Sequence, residues 1–209
     1  LPLPGIQPCI MDNDGNELNN LNAEGKLCIK FPWPSMARTI YGDHKRFKDT
    51  YFSTFDNMYF TGDGCIRDNE GMYRITGRVD DVIIVSGHNL GTAEIESAID
   101  EHPNVCETAI VGYPHKIKGN AIYAFVITQG DIKNEINTRA EINNLIVKNV
   151  GPIAKVEKIQ FVKGLPKTRS GKIMRRILRK IASNDFSNFG DTSTLLDPNV
   201  VEEIIREKI

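Results

Sequence analysis

The stretch Leu165-Pro-Lys-Thr-Arg-Ser-Gly-Lys172 runs without a break into Ile-Met-Arg-Arg-Ile-Leu-Arg-Lys-Ile181. A proline turn, two hydroxyls and a glycine lead to a lysine that the periodicity places at the opening of a helix. Ile173, Ile177, Leu178 and Ile181 recur at i, i+4, i+5 and i+8, which gives that helix one apolar face. Lys172 is therefore expected beside the positive end of the helix dipole, on a loop that Gly171 leaves mobile. A cation so placed suits a phosphate or a carboxylate that must be gripped and later released.

Spacing excludes the commonest phosphate loop. Six residues, not four, separate Gly164 from Gly171, and Ile173 stands where a magnesium-binding Ser or Thr would follow the lysine. The plain alternative is a solvated basic face, because Arg175, Arg176, Arg179 and Lys180 fall on the polar side of the same helix.

The 209 residues, 40% hydrophobic and 25% charged, suffice for one or two globular cores. A net charge of -1 makes the basic segment local and argues against a dedicated nucleic-acid-binding domain. Cys9, Cys28, Cys65 and Cys106 are far apart, form no CxxC pair, and read as reduced thiols of a cytosolic-type compartment. No signal peptide and no apolar run of membrane length is present. The chain opens on Leu1-Pro-Leu-Pro-Gly5 without an initiator Met, which reads as a fragment.

Outward from the lysine segment, the chain divides near residue 80 into two parts of an α+β protein. Strand-like stretches at Gln7–Met11, Gly25–Phe31, Met58–Gly62 and Met72–Thr76 make up the first. Asp68-Asn-Glu-Gly71 between the last two is a hairpin turn that lacks the alternate-position spacing of a calcium loop. The second part alternates: a β-branched run Val82–Val85, a helix Thr92–Glu101, strands Val105–Tyr113 and Ala121–Thr128, a helix Asn134–Val150 stopped by Gly151-Pro152, and a strand Lys158–Val162. The Lys172 helix completes a short sheet flanked by helices. Asn184 through Pro198 reads as a surface strap before a last short helix.

Three clusters join the lysine. Tyr59-Phe-Thr-Gly-Asp63-Gly puts a carboxylate among glycines at a strand end, able to accept two hydrogen bonds from the vicinal hydroxyls of a ribose or to serve as an ordinary turn residue. Gly77-Arg78-Val-Asp80-Asp81 supplies a guanidinium that can fork onto a phosphate or the same ribose. Val85-Ser86-Gly87-His88-Asn89-Leu90-Gly91 reads as a glycine-bearing loop leading into a helix and open to close approach by a ligand.

In this order, Tyr59–Gly64, Gly77–His88, Ala93–Ile99 and Pro166–Lys172 resemble the C-terminal motifs of the adenylate-forming enzymes, which include acyl-CoA synthetases, peptide-synthetase adenylation domains and luciferases. Trp33-Pro34, Ser35 to Asp43, Arg46-Phe47, Tyr51 to Phe55, Pro166–Lys180 and Gly190-Asp-Thr-Ser-Thr194 are similar to the acetyl-CoA synthetase branch. The resemblance covers essentially the whole chain. It implies that residues 1–79 are the β-rich, distorted barrel-like end of a large N-terminal AMP-binding domain. Residues 80–209 are then a mobile C-terminal domain, and the rest of the first domain, with the acyl pocket, lies upstream.

Activity follows from the same resemblance: acetate, MgATP and CoA yield acetyl-CoA, AMP and pyrophosphate through acetyl-adenylate, with the fragment alone inactive. Lys172 matches the lysine that serves adenylation, Asp63 the ribose carboxylate, Arg78 the nucleotide arginine and Asp80 the hinge. Ser86 and Gly87 match the loop that lines the CoA tunnel, where a side chain would obstruct pantetheine. Two positions depart from the pattern. Asn89 stands where most relatives carry a phosphate-contacting Arg. Val147 replaces an Arg that meets the CoA phosphate, with Lys148 beside it as a stand-in. A cation site at the helix end would match Asp100, His102 and Val105, and His102 also reads as an ordinary capping histidine. The resemblance further implies reversible acetylation of Lys172 by an acetyltransferase and deacetylase, and a cytoplasmic location, or a nuclear or mitochondrial one in a eukaryote. Other readings are a ligase for propionate or another short acyl acid, a free-standing interaction module, or a nucleic-acid binder using Lys163–Lys180. No aromatic residue interleaves with those charges to stack a base.

Overall fold

A computed structural model describes residues 1–130, 132 and 134–209. They form two compact units, Leu1–Asp81 and Val82–Ile209.

The first unit is an open antiparallel sheet in the order β1 (Pro8–Met11), β2 (Ala23–Ile29), β3 (Tyr59–Arg67), β4 (Tyr73–Arg78), with one helix, α1 (His44–Tyr51), inserted between β2 and β3. The barrel-like closure expected from the resemblance is not formed, since a barrel whose interior fills with side chains takes about eight strands. Small clusters pack on the sheet instead: Cys9, Met11, Cys28 and Phe55 in one, Ile10, Ala23 and Cys65 in the other. All four cysteines are free, and only Cys106 is exposed. The Asp68 turn forms as expected. Its Oδ1 accepts from the amides of Glu70 (2.9 Å) and Met72 (2.8 Å). β3 runs on through Asp63 to Arg67 rather than stopping at Gly62. The unforeseen helix α1 is capped by Asp43, which accepts from the Arg46 amide at 2.9 Å, and Tyr51 at its end stacks on Tyr59 of β3 at 4.8 Å.

The second unit holds β5 (Val82–Val85), β6 (His88–Gly91), α2 (Thr92–Asp100), β7 (Val105–His115), β8 (Gly119–Thr128), α3 (Glu135–Asn149), β9 (Lys158–Phe161), α4 (Arg175–Ala182) and α5 (Asn199–Arg206). The strands run β6-β5-β8-β7, with β9 parallel to β8. Strict alternation along β7 and β8 builds a core on each face. Ile110, Ile122, Ala124 and Val126 pack with Ile95 and Ile99 of α2 and Ile142 and Ile146 of α3. Ala109, Val111, Tyr123 and Phe125 face Ile177, Leu178 and Ile181 of α4 and Val201 and Ile204 of α5. Burying each large side chain contributes about 2 kcal/mol. A buried polar relay ties the last helix down: the Tyr123 hydroxyl donates to Gln160 Oε1 (2.8 Å), and Gln160 Nε2 donates to the Ile204 carbonyl (2.9 Å). No described helix is long and apolar enough to cross a membrane.

Two expectations are corrected. The Val85–Gly91 segment is not a loop into a helix but a tight hairpin. Val85 pairs with His88 across Ser86-Gly87, whose φ values of 49° and 84° are those of a type I′ turn. The lysine helix begins at Arg175, three residues beyond Lys172, because Ile173 is bridged to Lys167 as a strand pair.

After α4 the chain turns on Asp185. Its carboxylate accepts from the Ser187 hydroxyl (2.6 Å) and amide (3.1 Å) and meets Lys180 at 3.0 Å. The Ser187 hydroxyl and Lys180 lower its pKa from 3.8 to about 2. A depressed carboxyl contributes stability that is present above its unfolded value and lost as pH falls through the folded one. Carboxyl NMR of Asp185 is thus expected to titrate near 2, and Ser187→Ala to move that midpoint upward.

Candidate functional site

The carboxylate and guanidinium singled out in the first unit lie directly opposite each other, Asp63 on β3 against Arg78 on β4. The Asp63 amide donates to the Thr61 hydroxyl (3.1 Å), which itself donates to the Leu27 carbonyl (3.1 Å). That chain holds the bend at Gly62, where φ is +78°. Arg78 Nη1 donates to the Thr61 carbonyl (3.0 Å) and sits 3.5 Å from Asp63 Oδ1, while Nε donates to Asp80 Oδ1 (3.1 Å). Burial disfavours the guanidinium charge, but Asp80, Asp63 and Asp81 outweigh that penalty and raise its pKa above the ordinary value. One arginine therefore joins the Asp63 carboxylate of β3 to Asp80, which lies in the 3-10 turn Val79–Asp81.

The remaining predicted residues belong to the second unit. Ser86 and Gly87 form the exposed tip of the β5–β6 hairpin, and the Ser86 amide donates to the Lys118 carbonyl at 2.9 Å. A cleft of about 210 Å³ opens beside Ser86, lined also by Lys118, Pro152, Ile153 and Lys155. Asn89 is exposed on β6, and Val147 and Lys148 on the outer face of α3. Gly87 has no atom within 4 Å of where a Cβ would stand, so its left-handed φ is by itself reason for a glycine.

Lys172 heads the return leg of a second hairpin. The turn Thr168–Gly171 is closed by the Gly171 amide on the Thr168 carbonyl (2.8 Å). The Thr168 amide donates to the Lys172 carbonyl (2.9 Å), and the Lys172 amide to the Thr168 hydroxyl (3.1 Å). Arg169 and Leu196 amides tie the turn to the strap through the carbonyls of Thr194 (3.1 Å) and Lys167 (2.8 Å). The expected mobile loop is a braced one. The Lys172 side chain is exposed, and no described residue pairs with its Nζ. Among the described residues no hydrogen bond or ion pair joins this hairpin to that of Ser86.

The basic face is not simply solvated. Arg175 pairs with Glu96 (2.8 Å), Lys180 with Asp185 (3.0 Å) and Lys167 with Glu107 (2.6 Å), and Arg176 donates to the Asp191 carbonyl. Charges spent inside the fold leave little to neutralise a nucleic-acid backbone. Glu96, Glu107 and Thr61 were missed in the sequence because their partners are distant along it.

At the end of α2, His102 is buried. Nδ1 accepts from the Asn104 amide (3.2 Å), which leaves Nε2 to donate to Glu141 (3.2 Å). Its amide donates to the Ile99 carbonyl and its carbonyl accepts from Val105, each at 2.9 Å, the arrangement of a capping residue. No group of three or more His, Cys, Asp or Glu among the described residues could hold a metal ion.

Residues 94–172 match the AMP-binding enzyme C-terminal domain family. Acetyl-coenzyme A synthetase of Brucella canis is 56% identical over 209 residues, 99% of this chain and 32% of the relative. Its Escherichia coli counterpart is 57% identical over 207 residues. Over nearly its whole length the chain is thus similar to acetyl-coenzyme A synthetases. It spans about a third of the length of these relatives. Solved structures share its backbone. Acetoacetyl-CoA synthetase from Streptomyces lividans superimposes with a TM-score of 0.83 over 97% of this chain and 30% of that one, at 21% identity, a likeness of fold alone. ATP-bound MatB from Rhodopseudomonas palustris gives 0.71 over 85% of this chain and 34% of that one, at 27% identity.

Gly62 keeps the Arg78 junction intact, since a Cβ there would lie 2.7 to 2.9 Å from the guanidinium. Gly62→Ala is expected to displace the arginine and to cost roughly 1–2 kcal/mol through its left-handed φ. The Arg78 Nε–H resonance, slowed by Asp80, should then exchange at the rate of a free arginine.

Proposed function

We propose that these residues act, with the two thirds of the relatives' length they do not span, as an AMP-forming acetate–CoA ligase in the cytoplasm. What carries the reading is the unpaired Lys172 ammonium on a braced hairpin, within a sequence 56% identical to acetyl-CoA synthetases. In the first step an acetate oxygen attacks the α-phosphorus of ATP and pyrophosphate leaves. Negative charge gathers on the phosphoryl oxygens, and a cation fixed in advance stabilises it without reorganising. A lysine already committed to a carboxylate could not do this. Asp63 holds the ribose hydroxyls and Arg78 the nucleotide. Magnesium arrives with ATP as the counter-ion of its phosphates.

In the second step the CoA sulfur attacks the acyl carbon and AMP departs. Ser86 and Gly87 line the thiol's approach, with Val147 and Lys148 near its nucleotide end and Asn89 donating an uncharged hydrogen bond to the adenylate. Asp80 is the pivot between the steps. Support comes from its place in a one-turn segment where the two compact units meet in sequence, with its carboxylate held by Arg78. Acetylation of Lys172 by a protein acetyltransferase would remove the charge and stop the first step only.

Acetate-dependent ATP–pyrophosphate exchange, measured on the full-length chain carrying these residues, is the test. Lys172→Ala should lower exchange roughly 10²–10³-fold, the usual effect of one preorganised electrostatic group. Release of acetyl-CoA from preformed acetyl-adenylate should persist. Normal exchange in that variant refutes the role of the lysine. A higher kcat/KM for propionate than for acetate shifts the substrate to the longer acid. Gly87→Ala and Gly87→Leu share the left-handed strain, so a thioester step lost only in the leucine variant assigns the loop to the thiol path.

A further inference from the structure

The Lys172 hairpin stands on two legs, and each is held at its root by a carboxylate of the α2–β7 layer. On the outgoing leg Lys167 Nζ meets Glu107 Oε2 of β7 at 2.6 Å. On the return leg Arg175 Nη2 lies 2.8 Å from both carboxylate oxygens of Glu96 on α2. Between these roots the legs are joined by the Met174 amide on the Pro166 carbonyl (2.7 Å) and by the Lys167–Ile173 bridge.

Glu96 is the more constrained of the two acids. Its side chain is 13% exposed, against 34% for Glu107. Besides Arg175, it accepts from the Ile110 amide at 2.9 Å. β7 is an edge strand, paired with β8 alone, so that amide points where no further strand can meet it. One carboxylate thus satisfies the sheet edge and fixes the first residue of α4. Arg175 Nε is buried without a partner, which leaves the guanidinium held only through Nη2.

An ion pair so placed is a poor way to gain stability. Desolvation pushes the Glu96 pKa above its ordinary value even though Arg175 and the Ile110 amide oppose it. Apolar residues of similar volume would pack as well or better, whereas removing one partner strands a charge. What a directional pair adds is register. Apolar contacts leave a hairpin free to slide, but a guanidinium shared by two carboxylate oxygens does not. Lys172 lies three residues before Arg175, and its Nζ has no partner of its own. Its position is therefore set by its backbone, which these pairs hold at the base and the Arg169 and Leu196 amides tie to the strap.

Taking the adenylation role of Lys172 as given, we propose that Glu96 is its positioning residue, acting through Arg175 and seconded by Glu107 through Lys167. Glu96 touches no substrate. It fixes where the lysine charge stands, and an ångström of misplacement can cost as much as a hundredfold in rate.

The test pairs kinetics with amide exchange in the full-length chain. Glu96→Gln should lower the kcat of pyrophosphate exchange roughly tenfold to a hundredfold. KM for ATP and the thioester step from preformed acetyl-adenylate should stay within about twofold. The Gly171 and Lys172 amides should exchange at least about tenfold faster while those of β7 and β8 keep their protection. Arg175→Lys, which keeps the charge but shortens the reach to Glu96 and removes the planar guanidinium, should fall between Glu96→Gln and the parent. Should Glu96→Gln also expose β7 and β8, the same readouts on Arg175→Lys decide. Unchanged hairpin protection overturns the positioning role, and so does equal loss of both half-reactions in a folded variant. A parent chain without exchange activity overturns the adenylation reading instead, and the hairpin amides then judge the positioning of the lysine by themselves.

Discussion

Burial of both faces of the β7–β8 pair is the constraint on which the second unit depends. Alternate residues of the same two strands feed two separate cores, Ile110, Ile122 and Val126 on one side and Val111, Tyr123 and Phe125 on the other. A one-residue slip would exchange the two sets, placing Tyr123 and Phe125 against α2 and α3. Register is consequently specified from both sides. The polar residues of the proposed site in this unit are displaced to hairpins and the outer face of a helix. The Ser86-Gly87 turn and the Lys172 hairpin are such connections, which is why chemistry-bearing residues so far apart in sequence can occur in one small unit without entering either core.

Electrostatics in the chain follows a division of labour. Charges that organise the fold are paired: Glu96 with Arg175, Glu107 with Lys167, Asp185 with Lys180. Lys172 has no such pair. Arg78 is intermediate, shared among the Thr61 carbonyl, Asp63 and Asp80, so a ligand drawing on it must compete with contacts already made. Half of its side chain is exposed, 49%, which keeps those contacts exchangeable rather than permanent.

Elements whose signal is local were legible in the sequence. The Asp68 hairpin, the strands β5, β7, β8 and β9 and the helices α2 and α3 announce themselves through turn chemistry and periodicity. Helix α1 was overlooked although Asp43 supplies an N-cap and Phe47 and Tyr51 an i, i+4 pair, because its eight residues are too few for a convincing period. His88–Gly91 reads as loop because glycines bracket it, yet glycine at the second position of a type I′ turn is what makes a tight hairpin. The start of the lysine helix was misplaced for a different reason. Ile173 fits the helical stripe by spacing, and only its pairing with Lys167 across the hairpin shows that it packs from a strand.

That last displacement changes what the lysine is. At a helix N-terminus Lys172 would sit unfavourably near the positive end of a dipole, its position set by helical geometry alone. On a hairpin three residues earlier it is released from that repulsion, which falls off within the first turn of a helix. Its coordinates depend instead on the two legs and on whatever anchors them. A short helix can be anchored by its apolar stripe, and α4 is, through Ile177, Leu178 and Ile181. The hairpin reaches that core only at its base, through Leu165, Ile173 and Met174, and isolated hairpins are marginal in water. It has to borrow rigidity from directional bonds at its base, and here those bonds are carboxylates reaching out from α2 and β7. An ammonium without a partner among the described residues is thus held in place by neighbouring cations that have one.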